Sequence, residues 1–315
     1  MQTIIITGGA GFIGSNFLSK YVLLFPEIQF VNIDMLTYAG NIEKIDLAAR
    51  STPNYHFEQV DIRDIEALRA VYAKYNPTDI IHFAAESHVD NSIRNPRLFT
   101  EVNILGTQNL LDLHREYNMN RFHYISTDEV YGDIPDSGYF TEETHIEPSS
   151  PYSASKAGGD ILVQAYGRTF GLDYTITRCS NNYGAHQNNI SLIPLFIDKI
   201  QKNEKVPLYG DGSNIRDWLY VEDHCDAIWE VFTRADIGSA YNVGGNNEYT
   251  NLEITKILLQ AMWKDDSLIS FVPDRPGHDK RYAIDAGKIQ VDLGWTPKTL
   301  FPDGIKKTLA WYLNN

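Results

Sequence analysis

Tyr152 and Lys156 stand four residues apart in PYSASK, a spacing that puts both on one face of a helix. An ammonium beside a phenol stabilises the phenolate and draws its pKa toward neutrality, so Tyr152 becomes a base for a substrate hydroxyl. A Tyr-x-x-x-Lys pair by itself reads equally as a surface pair. Its company decides the matter: Thr127 ends the apolar stretch FHYIST, where a hydroxyl can orient an alcohol oxygen, and two carboxylates, Asp128 and Glu129, follow at once. An isolated Asp-Glu pair is an ordinary polar strand end. Beside groups that oxidise an alcohol, the same pair is a candidate acid and base.

Alcohol oxidation needs a hydride acceptor, and TGGAGFIG supplies a place for one. Gly8, Gly11 and Gly14 fall between an apolar strand and a helix, with Phe12 and Ile13 opening that helix. Glycines suit this turn because the backbone must approach a pyrophosphate closely while the helix packs against the strand and offers its first N–H groups. Asp34 lies 20 residues beyond Gly14 at the end of the next apolar stretch. A carboxylate there accepts both ribose hydroxyls and repels a 2′-phosphate, so the expected cofactor is NAD, not NADP. Asp61 and Ile62, after the third strand, are placed for the adenine edge, with a capping role for Asp61 the alternative.

These groups require a scaffold that brings strand ends together. Apolar runs at 3–7, 30–34, 55–60, 79–84, 122–127 and 173–178 alternate with amphipathic segments at 11–25, 65–75, 100–117 and 151–171. That rhythm predicts an α/β fold, a Rossmann-type doubly wound parallel sheet with helices on both faces. After about residue 180 the pattern loosens into Gly, Asn and Pro clusters such as YGDGSN and NVGGNN, predicting a smaller C-terminal lobe. The expected division is 1–180 for the NAD-binding part and 181–315 for the lobe, with about 215–240 returning to the first part.

The 315 residues carry 41 acidic against 27 basic side chains, a net charge of -14 that repels a nucleic-acid backbone. An anionic substrate must therefore meet a local basic cluster. Arg216 and Arg275 are the candidates for phosphate oxygens, with structural ion pairs as the alternative for either. Cys179 and Cys225 form neither a disulfide framework nor a metal-ligand spacing, which suits a reducing compartment and predicts no metal. No apolar run reaches the length of a membrane span, and Met1 leads into a strand without a basic flank or cleavable core. A cytoplasmic protein with no membrane partner is expected.

Taken together, TGGAGFIG, HFAAESHVD, STDEVYG, PYSASK, RCSNNYG, RDWLYVEDH and DRPGHD resemble the extended short-chain dehydrogenase/reductases. More narrowly, they are similar to the dTDP-glucose 4,6-dehydratase family, over nearly the whole chain. The resemblance implies tightly held NAD, a nucleotide-sugar lobe and a homodimer paired through helices that include the Tyr-x-x-x-Lys helix. It implies a hydro-lyase reaction on the route to rhamnose and other deoxysugars. The hexose is oxidised at C4, water is eliminated across C5 and C6, and hydride returns to C6, with Glu129 as base and Asp128 as acid. Ser87 would face sugar or cofactor, Asn182 the diphosphate, and Asn251 and His278 the nucleotide end, while His88 would pack beside the site. One segment departs from the family pattern: where members usually read PYQFPEKLIP, this chain reads AHQNNISLIP, with Asn189, Ile190 and Ser191 in place of Pro-Glu-Lys. That substitution bears on which hexose or nucleotide is taken, not on the reaction. Two other functions share parts of the pattern, a nucleotide-sugar C4 epimerase or decarboxylase and a non-catalytic NAD-binding sensor. Epimerases and decarboxylases usually carry small residues where Asp128 and Glu129 stand.

Overall fold

The computed structural model describes residues 2–134 and 137–314. Its main sheet has seven strands, β1 (Thr3–Thr7), β2 (Gln29–Ile33), β3 (Tyr55–Glu58), β4 (Asp79–His82), β5 (Arg121–Thr127), β6 (Tyr174–Cys179) and, much later in the chain, β10 (Ser239–Val243). They lie in the order β10-β6-β5-β4-β1-β2-β3 and every pair is parallel. The change of direction between β1 and β4 is the switch point at which such sheets open a crevice at their C-terminal ends.

Buried strands without alternation fit a sheet covered on both faces, and β1 is buried at all five positions. On one face Leu68, Val71 and Tyr72 pack with Leu110, Leu113 and Val163. The other is covered by Phe17, Leu18 and Val22 with Val221, Cys225 and Ile228. Helix ends follow local chemistry. Asp64 accepts the Ala67 N–H at 3.0 Å to start the helix Ile65–Tyr75, and Asn76 stops it in the left-handed region at φ 45°. Ser150 and Ser153 cap each other's backbone ahead of Pro151, which fixes the start of the helix Pro151–Phe170 that carries Tyr152 and Lys156.

The stretch expected to return around 215–240 divides in two. Residues Ile215–Tyr220 form β9, which pairs with β7 (Asn181–Tyr183) and β11 (Glu248–Thr250) in a separate small sheet. The helix Val221–Arg234 then packs on the main sheet, and β10 joins its edge. A pair of strands, β8 (Val206–Tyr209) and β12 (Ile269–Val272), completes the lobe, whose core gathers Tyr183, Phe196, Trp218, Leu258 and Phe301.

Two boundaries differ from expectation for the same reason. β3 and β4 each stop two residues early, because Val60 and the pair Phe83 and Ala84 leave the sheet to line the crevice. The helix expected over 100–117 begins at Pro96 and contains a π turn at Glu101–Gly106. π turns commonly mark functional positions. Here the turn carries Asn103, whose side chain accepts the Glu86 N–H at 2.8 Å and donates to the Glu86 carbonyl at 2.9 Å and to Ser155 Oγ at 2.8 Å. Asn103 thereby ties the loop after β4 to the helix that bears Lys156.

Candidate active site

The first cleft runs along the C-terminal ends of β1, β2, β4 and β5. Gly8, Gly11, Phe12, Ile13, Gly14, Asp34, Asp61 and Ile62 all line it. The glycines are there for space: a Cβ on Gly8, at φ +72°, would stand 2.6 Å from the Ala84 nitrogen, and one on Gly14 would stand 2.5 Å from the Gly8 carbonyl oxygen. Asp34 accepts the Ala10 N–H at 3.0 Å and the Leu36 N–H at 2.8 Å, one on each oxygen, and retains lone pairs for ribose hydroxyls. The bare helix N-terminus and this carboxylate fit a dinucleotide. Asp61 lines the cleft while accepting the Arg63 backbone N–H at 2.9 Å and pairing with the Arg63 guanidinium at 2.6 Å, and the helix that follows is capped by Asp64 instead.

Thr127, Asp128, Glu129, Tyr152 and Lys156 converge on the inner end of this cleft. Thr127 closes β5 and caps the short turn Asp128–Tyr131, its Oγ1 accepting the Glu129 N–H at 3.3 Å and donating to Asp128 Oδ1 at 3.3 Å. The same hydroxyl lies near the Tyr152 phenol and opposes the rise of its pKa. Asp128 is buried, and its Oδ2 has no partner. Burial, and then the charges of Glu129 and Asp217, push its pKa well above the ordinary carboxylate range. Glu129 is half-buried and also pushed up by burial, against the opposing charges of Arg275 and Arg216.

Lys156 corrects the expectation about Tyr152. Its Nζ donates to the Ile125 carbonyl at 2.6 Å and sits 4.3 Å above the Tyr124 ring, and burial lowers its own pKa to about 8. The Tyr152 phenol is instead raised, by burial and by the neighbouring Glu129 charge. In this arrangement the Lys156 ammonium is bonded to the Ile125 carbonyl, and burial dominates at the phenol.

A second cleft opens between the main sheet and the lobe, lined by Arg216, Asn251, Arg275 and His278 among others. Ser87, Glu129, Asn181, Asn182, Gln187 and Ser191 line both clefts, so the two meet at Glu129. Arg216 is buried, its guanidinium donating to the Ile215 carbonyl at 2.7 Å and the Asp279 carbonyl at 2.9 Å and stacking 4.2 Å from the Tyr282 ring. Arg275 is only loosely paired, 3.5 Å from Asp90, and its Nε has no partner. His278 bonds Asp274 Oδ1 at 2.6 Å, and Asn182 bonds His224 at 2.9 Å. His88 caps the helix Val89–Arg94 on the rim of this second cleft. The departing segment also lies here: Ile190 and Ser191 form part of the wall, while Asn189 is exposed.

Residue spacing did not reveal Lys44 and Glu86, which line the first cleft, or Tyr282 in the second. Lys44 sits in an exposed-looking polar segment and Glu86 between Ala85 and Ser87. Neither carries a periodic signal that distinguishes a cleft wall from solvent.

A family model described as GDP-mannose 4,6 dehydratase matches residues 5–308. A dTDP-glucose 4,6-dehydratase of Neisseria meningitidis serogroup B is 48% identical over 100% of this chain and 94% of its own length. Among solved structures, a dTDP-glucose 4,6-dehydratase from Streptomyces venezuelae with NAD bound superposes with a TM-score of 0.95 at 45% identity, covering 100% of this chain and 98% of that one. A UDP-glucose 4-epimerase of Thermus thermophilus in complex with NAD follows at 30% identity and a TM-score of 0.91, covering 99% of each chain. The scaffold is thus common to epimerases and dehydratases, and what separates them must lie in the side chains at the junction of the clefts. By its identity along the full length, the chain belongs to the dTDP-glucose 4,6-dehydratase family of extended short-chain dehydrogenase/reductases.

Proposed function

We propose that this protein is a hydro-lyase that converts dTDP-glucose to dTDP-4-keto-6-deoxyglucose with bound NAD. The observation that carries this reading is the position of Glu129, on the wall of both clefts, with the buried Asp128 carboxyl beside it, its Oδ2 without a partner. When bound, NAD supplies a reversible hydride store and, oxidised, a positive charge near the phenol. The chain's own groups do the proton chemistry. Tyr152, with the Thr127 hydroxyl near it, accepts the proton of the C4 hydroxyl. The ketone formed at C4 acidifies the C5 hydrogen, and Glu129 is the base that removes it. Asp128 keeps a proton because burial and neighbouring negative charge oppose its ionisation, and it protonates the C6 hydroxyl as that group leaves as water. Glu129 then returns a proton to C5 as C6 is reduced. The cycle leaves a proton on Tyr152 and a vacancy on Asp128, and the Thr127 hydroxyl, bonded to Asp128, lies near both.

Arg216 and Arg275 supply the positive charge that an acidic protein needs around a diphosphate, with Asn182 beside them and Asn251 and His278 toward the nucleotide. Incubating the protein with dTDP-, UDP-, CDP- and GDP-hexoses and reading the near-ultraviolet absorbance of a 4-keto-6-deoxysugar in alkali tests the assignment. Product from dTDP-glucose in preference to the others is expected. Interconversion of C4 epimers without a keto product would overturn it.

We further propose a homodimer in the cytoplasm. Leu105 and Ile161 are 48% and 53% exposed on two helical segments that pack together, close enough that a Cβ on Gly158 would meet Ile104 at 2.6 Å. Cys179 and Cys225 are buried free thiols, in keeping with a reducing compartment. Among the described residues no helix is long and apolar enough to cross a membrane.

A further inference from the structure

Two loops border the first cleft from opposite sides. One follows β2 and contributes Asp34, Met35, Thr37, Ala39 and Gly40 to the wall; the other follows β4 and contributes Phe83 through Ser87. Because the sheet runs β4-β1-β2 with all three strands parallel, these loops leave the same edge on either side of the β1 terminus. The glycine turn lies at that terminus. Any contact between the two loops must therefore pass over the place where a pyrophosphate would sit.

Such a contact exists. The Tyr38 hydroxyl donates to Glu86 Oε2 at 3.2 Å. Each side of it is anchored. The Glu86 backbone is clamped by both polar atoms of Asn103, at 2.8 and 2.9 Å. The Tyr38 loop is held at 2.8 Å by Asp34 accepting the Leu36 N–H, at 2.7 Å by Lys44 donating to the Ala39 carbonyl, and at 2.9 Å by Asn41 N–H bonding the Ala10 carbonyl. Leu36 adopts φ +58°, a left-handed bend that non-glycine residues rarely hold without such support. Tyr38 itself is 54% exposed, so its ring adds little to the core. A half-exposed tyrosine whose hydroxyl spans a cleft to a carboxylate anchored on the far side has the form of a fastening.

We propose that Tyr38 and Glu86 form a latch that closes over the dinucleotide and retains it from one turnover to the next. This rests on the NAD-dependent reading above, in which the cofactor is restored within each cycle and has no need to leave. The latch acts on retention, not on the reacting atoms, so Tyr38 and Glu86 are positioning residues.

The test loads the full-length protein with NAD, dilutes it into excess competing nucleotide, and follows loss of the bound cofactor by rapid separation and absorbance. Tyr38→Phe removes the hydroxyl and should release NAD about fivefold to tenfold faster, the scale of one net hydrogen bond at a half-exposed site. Glu86→Ala should do the same, and Glu86→Gln, which keeps an acceptor oxygen, should fall between it and the parent. The double variant Tyr38→Phe/Glu86→Ala should release no faster than either single change, because both remove one interaction. Equal release rates for the parent and Tyr38→Phe, or additive effects in the double variant, would overturn the latch while leaving NAD binding intact. A parent protein that takes up no NAD would overturn the cofactor reading and the latch together.

Discussion

Asp128 and Glu129 are neighbours in the chain and both are withdrawn from bulk water, so ionising the second is harder than ionising the first. The two are nevertheless unequal. Asp128 is the more deeply buried and feels the charges of Glu129 and Asp217 against Arg216, whereas Glu129 faces both Arg275 and Arg216 against Asp279, so the balance favours the proton on Asp128. Glu129→Gln separates the steps. Tyr152 and Thr127 remain, but the amide cannot take the C5 proton, and turnover should fall by about 10²-fold or more. Exchange of C5 hydrogen for solvent deuterium should vanish with it, and normal product with full exchange would remove Glu129 from the mechanism. The change also has a sign in pH. Asp128 works protonated, so activity falls as pH rises through its pKa. Deleting the Glu129 charge lowers that pKa, and the residual activity of the variant should begin its alkaline fall at lower pH than in the parent.

Elements decide whether these side chains meet, and here the glycine turn offers the sharpest test. A Cβ at Gly14 would lie 2.5 Å from the Gly8 carbonyl oxygen and 2.7 Å from the Gly9 Cα, backbone atoms that cannot swing away. Gly14→Ala should therefore push the helix Phe12–Leu24 off β1, costing about 1–3 kcal/mol of stability on the usual scale for overpacking. It should also weaken NAD binding by about tenfold or more, since the first N–H groups would no longer share one focus with the turn. Unchanged NAD affinity by titration would refute the close-approach argument. The same element shows why some of the site was legible from sequence. Gly11 and Gly14 are constrained by the Gly8 and Gly9 backbone within a few residues, and the ends of β2 and β5 are marked by acids that follow apolar runs. Asn103 was not legible, because its partners Glu86 and Ser155 lie 17 and 52 residues away and an Asn inside a helix has no distinctive periodicity. Nor was the carbonyl of Ile125 that takes up Lys156, 31 residues distant, or the burial and the Glu129 charge that raise the Tyr152 pKa. The split of residues 215–243 between two sheets was equally hidden, since β9 and β10 are both short, largely buried strands of mixed polar and apolar residues and only their partners differ.

Across the whole molecule, the helix that carries Tyr152 and Lys156 also presents outward-facing apolar groups. Its inner side buries Tyr152, Lys156, Gly159 and Val163, while Ile161 remains 53% exposed and Leu105 on the adjoining π turn 48%. A second copy packing on these helices would cover that surface and stiffen the element from which the catalytic phenol projects. Ile161→Glu places a charge on the proposed interface without touching either cleft. In sedimentation or light scattering the parent should run as a dimer and the variant as a monomer, with the dissociation constant weakened by about 10²-fold or more, because an interface must desolvate the new carboxylate without a partner. If the variant remains dimeric, the pairing surface lies elsewhere. If it becomes monomeric, its melting temperature should cease to depend on protein concentration, as follows when association no longer stabilises the native state by mass action. Turnover of the monomer then reports how far the position of Tyr152 depends on the partner. A phenol buried to 9% exposure within its own chain should keep most of its geometry, so the loss should fall on stability more than on the rate at saturating substrate.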